Sequence, residues 1–283
     1  MNKLTKKNKN KLVLVSCLLV VIIALSAILG YMILNQPKQI ETVVKDDGSV
    51  EVVEYTGKYY REFYKSQKKL NKDYVGQIFF ESGLINQPFV QGETNDTYLR
   101  TNWITNEYDV EGSNFLDAEN TLDDQNLVIY GHYVFESLDP TLSHKFTPLE
   151  KLWKKENYAN NNKVFLLLEN EIREYEIATV FAAQLFMDEN GEYYLQEEEQ
   201  YHLPSYEEEY FKVYHDRVKK RQQYETGVDF TYNDKLLTLQ TCTKNREDLR
   251  EIVICVQVNS YKLDNKCTFK HYDMSKSSER FAA

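Results

Sequence analysis

The chain has no glycine-rich phosphate loop and no cysteine–histidine cluster at zinc-binding spacing, so neither nucleotide phosphates nor a structural zinc has a recognisable seat. It has no internal repeat, which excludes a solenoid or propeller array. Cysteine is scarce, at four in 283 residues. Cys17 falls in an apolar N-terminal run, leaving Cys242, Cys255 and Cys267, an odd number that obliges at least one thiol to stay free. Cys255 and Cys267 read either as a disulfide or as two small apolar strand residues. Cys242 is the thiol expected to be free. Positive charge is also short. Apart from five lysines within residues 1–11, the chain carries 29 basic against 44 acidic residues, a net of −15. So acidic a domain is a poor partner for nucleic acid or an anionic lipid surface.

What the chain does have begins with residues 12–34, an uncharged apolar run preceded by Lys3, Lys6, Lys7, Lys9 and Lys11. At roughly 1.5 Å per residue, a helix of that length spans a ~30 Å hydrocarbon core. Lysines on its N-terminal side keep that end in the cytoplasm. The run outlasts the about 7–15 apolar residues of a cleaved signal peptide. The expectation is a cytoplasmic basic tail at 1–11, a transmembrane signal anchor at 12–34, and everything beyond it extracellular at the cell membrane.

Residues 35–57 are polar, hold Pro37 and Gly48, and read as a stem with a short strand at 50–53. Tyr59, Tyr60, Phe63, Tyr64 and Leu70 fall at helical spacings among lysines, predicting an amphipathic helix over 58–70. Residues 73–92 read as strand, turn and strand. A helix is expected at 148–154 and a β-pair over 163–183. Ser205-Tyr206-Glu207-Glu208 has capping-box spacing and predicts a helix of about 16 residues, with Tyr206, Tyr210, Val213 and Val218 along one side. The acidic runs at 197–199 and 207–209 read as solvated faces. The 22 tyrosines suit a sheet-rich extracellular domain.

The chemistry centres on Leu236-Leu237-Thr238-Leu239-Gln240-Thr241-Cys242, which alternates as a strand does and is followed at once by charge and turn formers. Cys242 thus stands at the mouth of a strand. A second strand is expected from Arg250 onward, returning Arg250 to the same end of the sheet. Far upstream, Leu127-Val128-Ile129-Tyr130 is an apolar strand ending in Gly131-His132. A cysteine nucleophile reacts as its thiolate and needs a partner for its proton. His132 is the candidate, able to pass that proton to a departing amine. Arg250, a permanent cation, suits an oxyanion, a role that typically contributes about 10²–10³ in rate. Blander readings stand beside these: a buried structural thiol, a turn histidine, and Arg246 in place of Arg250. His144, His202, His215 and His271 read as surface or loop residues.

Taken together, the Thr-Leu-x-Thr-Cys strand, the arginine opening the next strand and the Gly-His turn resemble the sortases, membrane-anchored cysteine transpeptidases of Gram-positive bacteria. Val75-Gly76-x-Ile78, Pro88-Phe89-Val90-Gln91, the Gly112-Ser113 segment and the long helix before the Cys strand are similar to class B in particular. The resemblance runs from about Asp73 to Val258. It implies a mainly β fold, an eight-stranded sortase-type barrel with peripheral helices, as a catalytic domain over 58–272, followed by a polar tail at 273–283. It implies Cys242, His132 and Arg250 as catalytic residues, Thr241 as a substrate-pocket residue, and neither cofactor nor metal. The implied reaction cleaves a C-terminal sorting motif of secreted proteins after Thr, then joins the acyl group to an amine of a peptidoglycan precursor or of a pilin lysine. Two positions depart from the class: Tyr133 follows the Gly-His pair where asparagine is common, and Lys244 stands where aspartate is common. A membrane-tethered cysteine peptidase and a non-catalytic wall-binding or adhesion module are the alternatives.

Overall fold

The computed structural model describes residues 40–44, 50–54, 56–134, 145–191, 193–195, 200–244, 246–269, 272 and 274. The chain divides into two units, Met1–Glu54 and Tyr55–Ala283. In the first, β1 (Ile40–Val44) and β2 (Val50–Glu54) form an antiparallel hairpin, and β2 covers the strand expected in the stem. The expected anchor at 12–34 lies outside the described residues. Among those described, no helix is long and apolar enough to cross a membrane.

The second unit opens with α1 (Gly57–Leu70), where the Thr56 hydroxyl accepts from the Tyr59 N–H and Tyr60 and Tyr64 are the buried tyrosines. There follow β3 (Tyr74–Phe80), β4 (Asn86–Val90), β5 (Phe115–Leu116), β6 (Asn126–Tyr130), a 3₁₀ helix (Thr147–Trp153), α2 (Lys155–Asn161), β7 (Lys163–Leu167) and β8 (Glu171–Gln184). The short β9 (Phe186–Met187) pairs with β10 (Tyr193–Tyr194); α3 (Glu208–Arg221), β11 (Leu236–Thr243) and β12 (Arg246–Lys262) complete the order. Eight strands close a barrel in the order β11-β12-β8-β7-β3-β4-β5-β6, the expected fold. Only β4–β5 and β6–β11 run parallel.

Side chains alternate across a strand, so each strand of the barrel has an inner and an outer face. Leu127 and Ile129 of β6, Leu237 and Leu239 of β11, and Val253 and Cys255 of β12 turn into the interior core. Each such fully buried side chain contributes about 1.5–3 kcal/mol relative to exposure. Leu236, Ile252, Ile254 and Val256 turn outward and pack with Phe211, Tyr214 and Val218 of α3. The barrel thus offers an outer face on β6, β11 and β12 that α3 covers at one end.

Several local expectations need correction. α3 begins at Glu208 with Glu207 as its N-cap, and no side chain caps it, so Ser205 closes no capping box. Tyr206 is instead held before the helix, its N–H donating to Gln125 Oε1 at 3.0 Å. The buried side of α3 is Phe211, Tyr214 and Val218, while Val213 is exposed. β12 begins at Arg246 rather than Arg250. The cysteines need no correction: Cys242 is free as expected, and Cys255 and Cys267 follow the reading without a disulfide.

Candidate active site

Strand register gathers the three residues singled out by sequence. β6 and β11 run parallel, with Tyr130 beside Gln240 as their last paired couple. The Gly131 N–H still donates to the Gln240 carbonyl at 3.0 Å. His132 lies two residues past Tyr130, as Cys242 lies two past Gln240. On the other side of β11, Cys242 pairs directly with Arg250 of β12. Residues in register share a face of the sheet. Arg250, Cys242 and His132 therefore stand in a row across three adjacent strands, on the outer face. A break in the β11–β12 register falls between Cys242 and Thr243, the kind of irregularity that re-aims a side chain at a sheet's rim.

A pocket of about 170 Å³ is lined by these three residues together with Leu99, Phe115, Tyr130, Gly131, Gln240 and Thr241. Cys242 is half-buried there. His132 Nε2 lies 2.6 Å from the Leu99 carbonyl. A carbonyl only accepts, so the proton sits on Nε2 and Nδ1 keeps the lone pair. Burial holds the His132 pKa below the ordinary histidine value; the Leu99 hydrogen bond opposes this, and the charges of Arg100, Lys145 and Arg250 reinforce it. At neutral pH the ring is therefore an uncharged base. Arg250 Nη1 donates to the Leu249 carbonyl at 3.1 Å. Its rival Arg246 is exposed and engaged with Asp248 at 2.6 Å, away from the pocket.

Thr241 reaches the pocket edge, but parity turns its side chain inward; it is 2% exposed and its hydroxyl has no partner. Of the departures from the class pattern, Tyr133 donates its hydroxyl to Glu150 Oε2 and bridges to Lys145 through the backbone. Lys244 sits in the exposed turn between β11 and β12. His215 is bound to Asp229 at 2.7 Å. His202 lies in a turn, as a loop residue was expected to, but is half-buried with Nδ1 enclosed and unpartnered. It lines a second, larger cavity of about 760 Å³ that shares Tyr130, Gln240 and Arg250 with the first and runs on to Glu93, Asn95 and Asp117. His144 and His271 lie outside the described residues.

The remaining pocket residues carried uneven signals. Tyr130 and Gln240 were legible as neighbours of His132 and Cys242 on their own strands. Leu99 contributes a backbone carbonyl from an irregular segment, which no side-chain pattern announces. Gly131 is fixed by space: a Cβ there would sit 2.5 Å from Phe146 Cγ and 2.6 Å from Asn114 Oδ1. Gly131→Ala must push the His132 turn off that ring. We expect a stability loss of about 1–3 kcal/mol by denaturant titration, with lower activity in the fraction that remains folded. A wild-type midpoint would show that the turn accommodates the methyl.

Comparison with known proteins agrees with this architecture. No family model matches the chain. It is 26% identical over 202 residues to sortase B of Staphylococcus aureus, covering 70% of this chain and 75% of that protein. It is 29% identical over 194 residues to sortase B of Listeria monocytogenes, covering 66% and 70%. Among solved structures, a mutant form of Clostridium perfringens sortase B superposes with a TM-score of 0.60 at 27% identity, covering 72% of this chain and 90% of that one. The Staphylococcus aureus sortase B–substrate complex gives 0.59 at 23%, covering 70% and 86%. The barrel and these likenesses define a cysteine transpeptidase. In sequence and in fold the chain is similar to the class B sortases.

Proposed function

We propose that this sortase cleaves a C-terminal sorting motif of secreted proteins after its Thr and transfers the acyl group to an amine of the cell wall or of a pilin. Cys242 Sγ attacks the Thr carbonyl carbon, and the C–N bond breaks to leave a thioester on the enzyme. His132 takes the thiol proton and gives it to the departing amine, then deprotonates the incoming one. Arg250 donates to the oxyanion, and Thr241 borders the acyl site. The larger cavity, which shares Tyr130, Gln240 and Arg250 with the lining of the thiol pocket, is the seat for the motif upstream of the cleaved bond. One observation carries this reading: register places Arg250 opposite Cys242, and His132 lines the same pocket.

The same reading puts the domain on the outer side of the cell membrane of a Gram-positive bacterium, tethered by residues 12–34, where exported substrate and lipid-linked acceptor meet. The Staphylococcus aureus relative, solved in complex with a substrate, supports a peptide substrate for this chain. Full-length protein in detergent, mixed with LPxTG-like and NPxTx-like peptides with and without a glycine or lysine amine, tests it by mass spectrometry. We expect one peptide class to yield an amine-joined product. Hydrolysis that added amine leaves unchanged would favour the peptidase alternative.

A further inference from the structure

The strand that ends in the nucleophile carries a threonine that the reaction above does not use. Thr238 opens the Thr-Leu-x-Thr-Cys run four residues before Cys242, and parity sets it on the outer face, opposite to Leu237 and Leu239. Asn126, the first residue of β6, shares that outer face with Tyr130 and His132. Thr238 and Asn126 are both 0% exposed. Against them lies the segment 201–206, which belongs to no strand or helix, so its buried carbonyls need donors from elsewhere. Asn126 serves three of them. Its Nδ2 donates to the Tyr201 carbonyl at 3.2 Å and to the Leu203 carbonyl at 3.0 Å. Its backbone N–H donates to the Pro204 carbonyl at 2.9 Å. Thr238 completes the set, its hydroxyl donating to Asn126 Oδ1 at 2.8 Å.

We infer that Thr238 and Asn126 are positioning residues for the sorting motif: a buried latch that fixes the 201–204 segment as one wall of the large cavity. His202, Leu203 and Pro204 line that cavity, together with the Tyr130, Gln240 and Arg250 that also line the thiol pocket. The threonine decides which way round the Asn126 amide sits. A carbonyl only accepts, so the amide nitrogen must face Tyr201 and Leu203, which leaves Oδ1 towards position 238. A hydroxyl there gives that oxygen a donor. A methyl in its place gives none and strands a buried acceptor, a state that proteins avoid. Turning the amide over is no remedy, because Oδ1 would then oppose two carbonyl oxygens. Four residues of strand set the latch about 13 Å from Cys242. It therefore acts on where the motif lies, not on the thiol, its base or the oxyanion donor. Loss of binding that ground state and transition state share raises KM and spares kcat.

The inference rests on the sorting-motif reading above, so its test has an arm that needs no peptide. Thr238→Val removes the hydroxyl at similar volume, and Thr238→Ser keeps it. In full-length protein in detergent, hydrogen–deuterium exchange over 200–206 should be at least about fivefold faster in Thr238→Val than in wild type. Iodoacetamide alkylation of Cys242 should stay within about twofold. With whichever LPxTG-like or NPxTx-like peptide the wild type joins to an amine, Thr238→Val should raise KM about five- to tenfold and leave kcat within about twofold; Thr238→Ser should return KM to near the wild-type value. Unchanged exchange over 200–206 would overturn the latch, whatever the peptides do. Faster exchange with unchanged KM would show that the segment is no wall of the motif's seat, and the inference falls there too. Should the wild type join neither peptide, the motif reading fails, and exchange alone upholds or overturns the latch. If Thr238→Val does not fold, Thr238→Ala takes its place with the same expectations.

Discussion

Cys242→Ala is expected to abolish acyl transfer, by a factor on the order of 10⁶, the scale seen when a covalent nucleophile is deleted. Three described thiols compete for the role, and their surroundings separate them. Cys255 turns into the core between β8 and β11, and burial pushes its thiol far above the ordinary range, which keeps it protonated and inert. Cys267 is half-buried near the end of the unit and is raised chiefly by burial as well. Only Cys242 lines a pocket with His132 and Arg250. Because its Sγ is half-buried at the rim, its loss leaves the core intact, and the melting temperature should move by no more than a few degrees. The decisive readout is intact mass after mixing with a cleavable peptide: the wild type gains the acyl fragment and the variant does not. Product formation by Cys242→Ala at more than a hundredth of the wild-type rate would remove Cys242 from the mechanism.

The row of Arg250, Cys242 and His132 was legible in sequence because each residue ends or edges a strand whose alternation is unambiguous. Period-two patterning gives a strand and its parity, and the parity of Cys242 then follows from Leu237 and Leu239. Partnership across strands is different in kind. Nothing local states that β6 runs parallel beside β11, or that Arg250 faces Cys242 rather than Thr243, which pairs with Arg246. The start of β12 was missed because Arg246-Glu247-Asp248 is rich in charge and weak in β-propensity, and tertiary pairing overrides that preference. The Ser205 capping box failed because Tyr206 is buried against the outer face of the barrel, 4% exposed, and draws the chain past the position where the helix would start. Glu251 is the sharpest case. A lone glutamate between Arg250 and Ile252 carries no signal of its own in the sequence, and only its register against Thr241 puts it inside the barrel.

Removing His132 should be the second-largest loss. A positioned base that also serves as acid contributes about 10²–10⁴ in rate, so His132→Ala should fall by that range in kcat with a smaller change in KM. The direction of its pKa shift adds a check that a merely structural histidine would not pass. Burial lowers the pKa below 6.5, so the unfolded chain binds a proton at a pH where the folded chain does not. Stability from this group is therefore fully present above about pH 6.5 and is lost as pH falls through the folded value. Wild-type melting temperature should drop on acidification from pH 7 to 5 more than that of His132→Ala, and the difference between them should become constant above pH 7. Glu251 works in the opposite sense: its raised pKa gives stability that is present below about pH 4.5 and lost as pH rises to about 8. Glu251→Gln removes that slope and not the other, so the two groups separate in paired melts. If His132→Ala melts in parallel with the wild type across pH 5–8, the ring is not the buried neutral base that its Leu99 bond and its pocket imply.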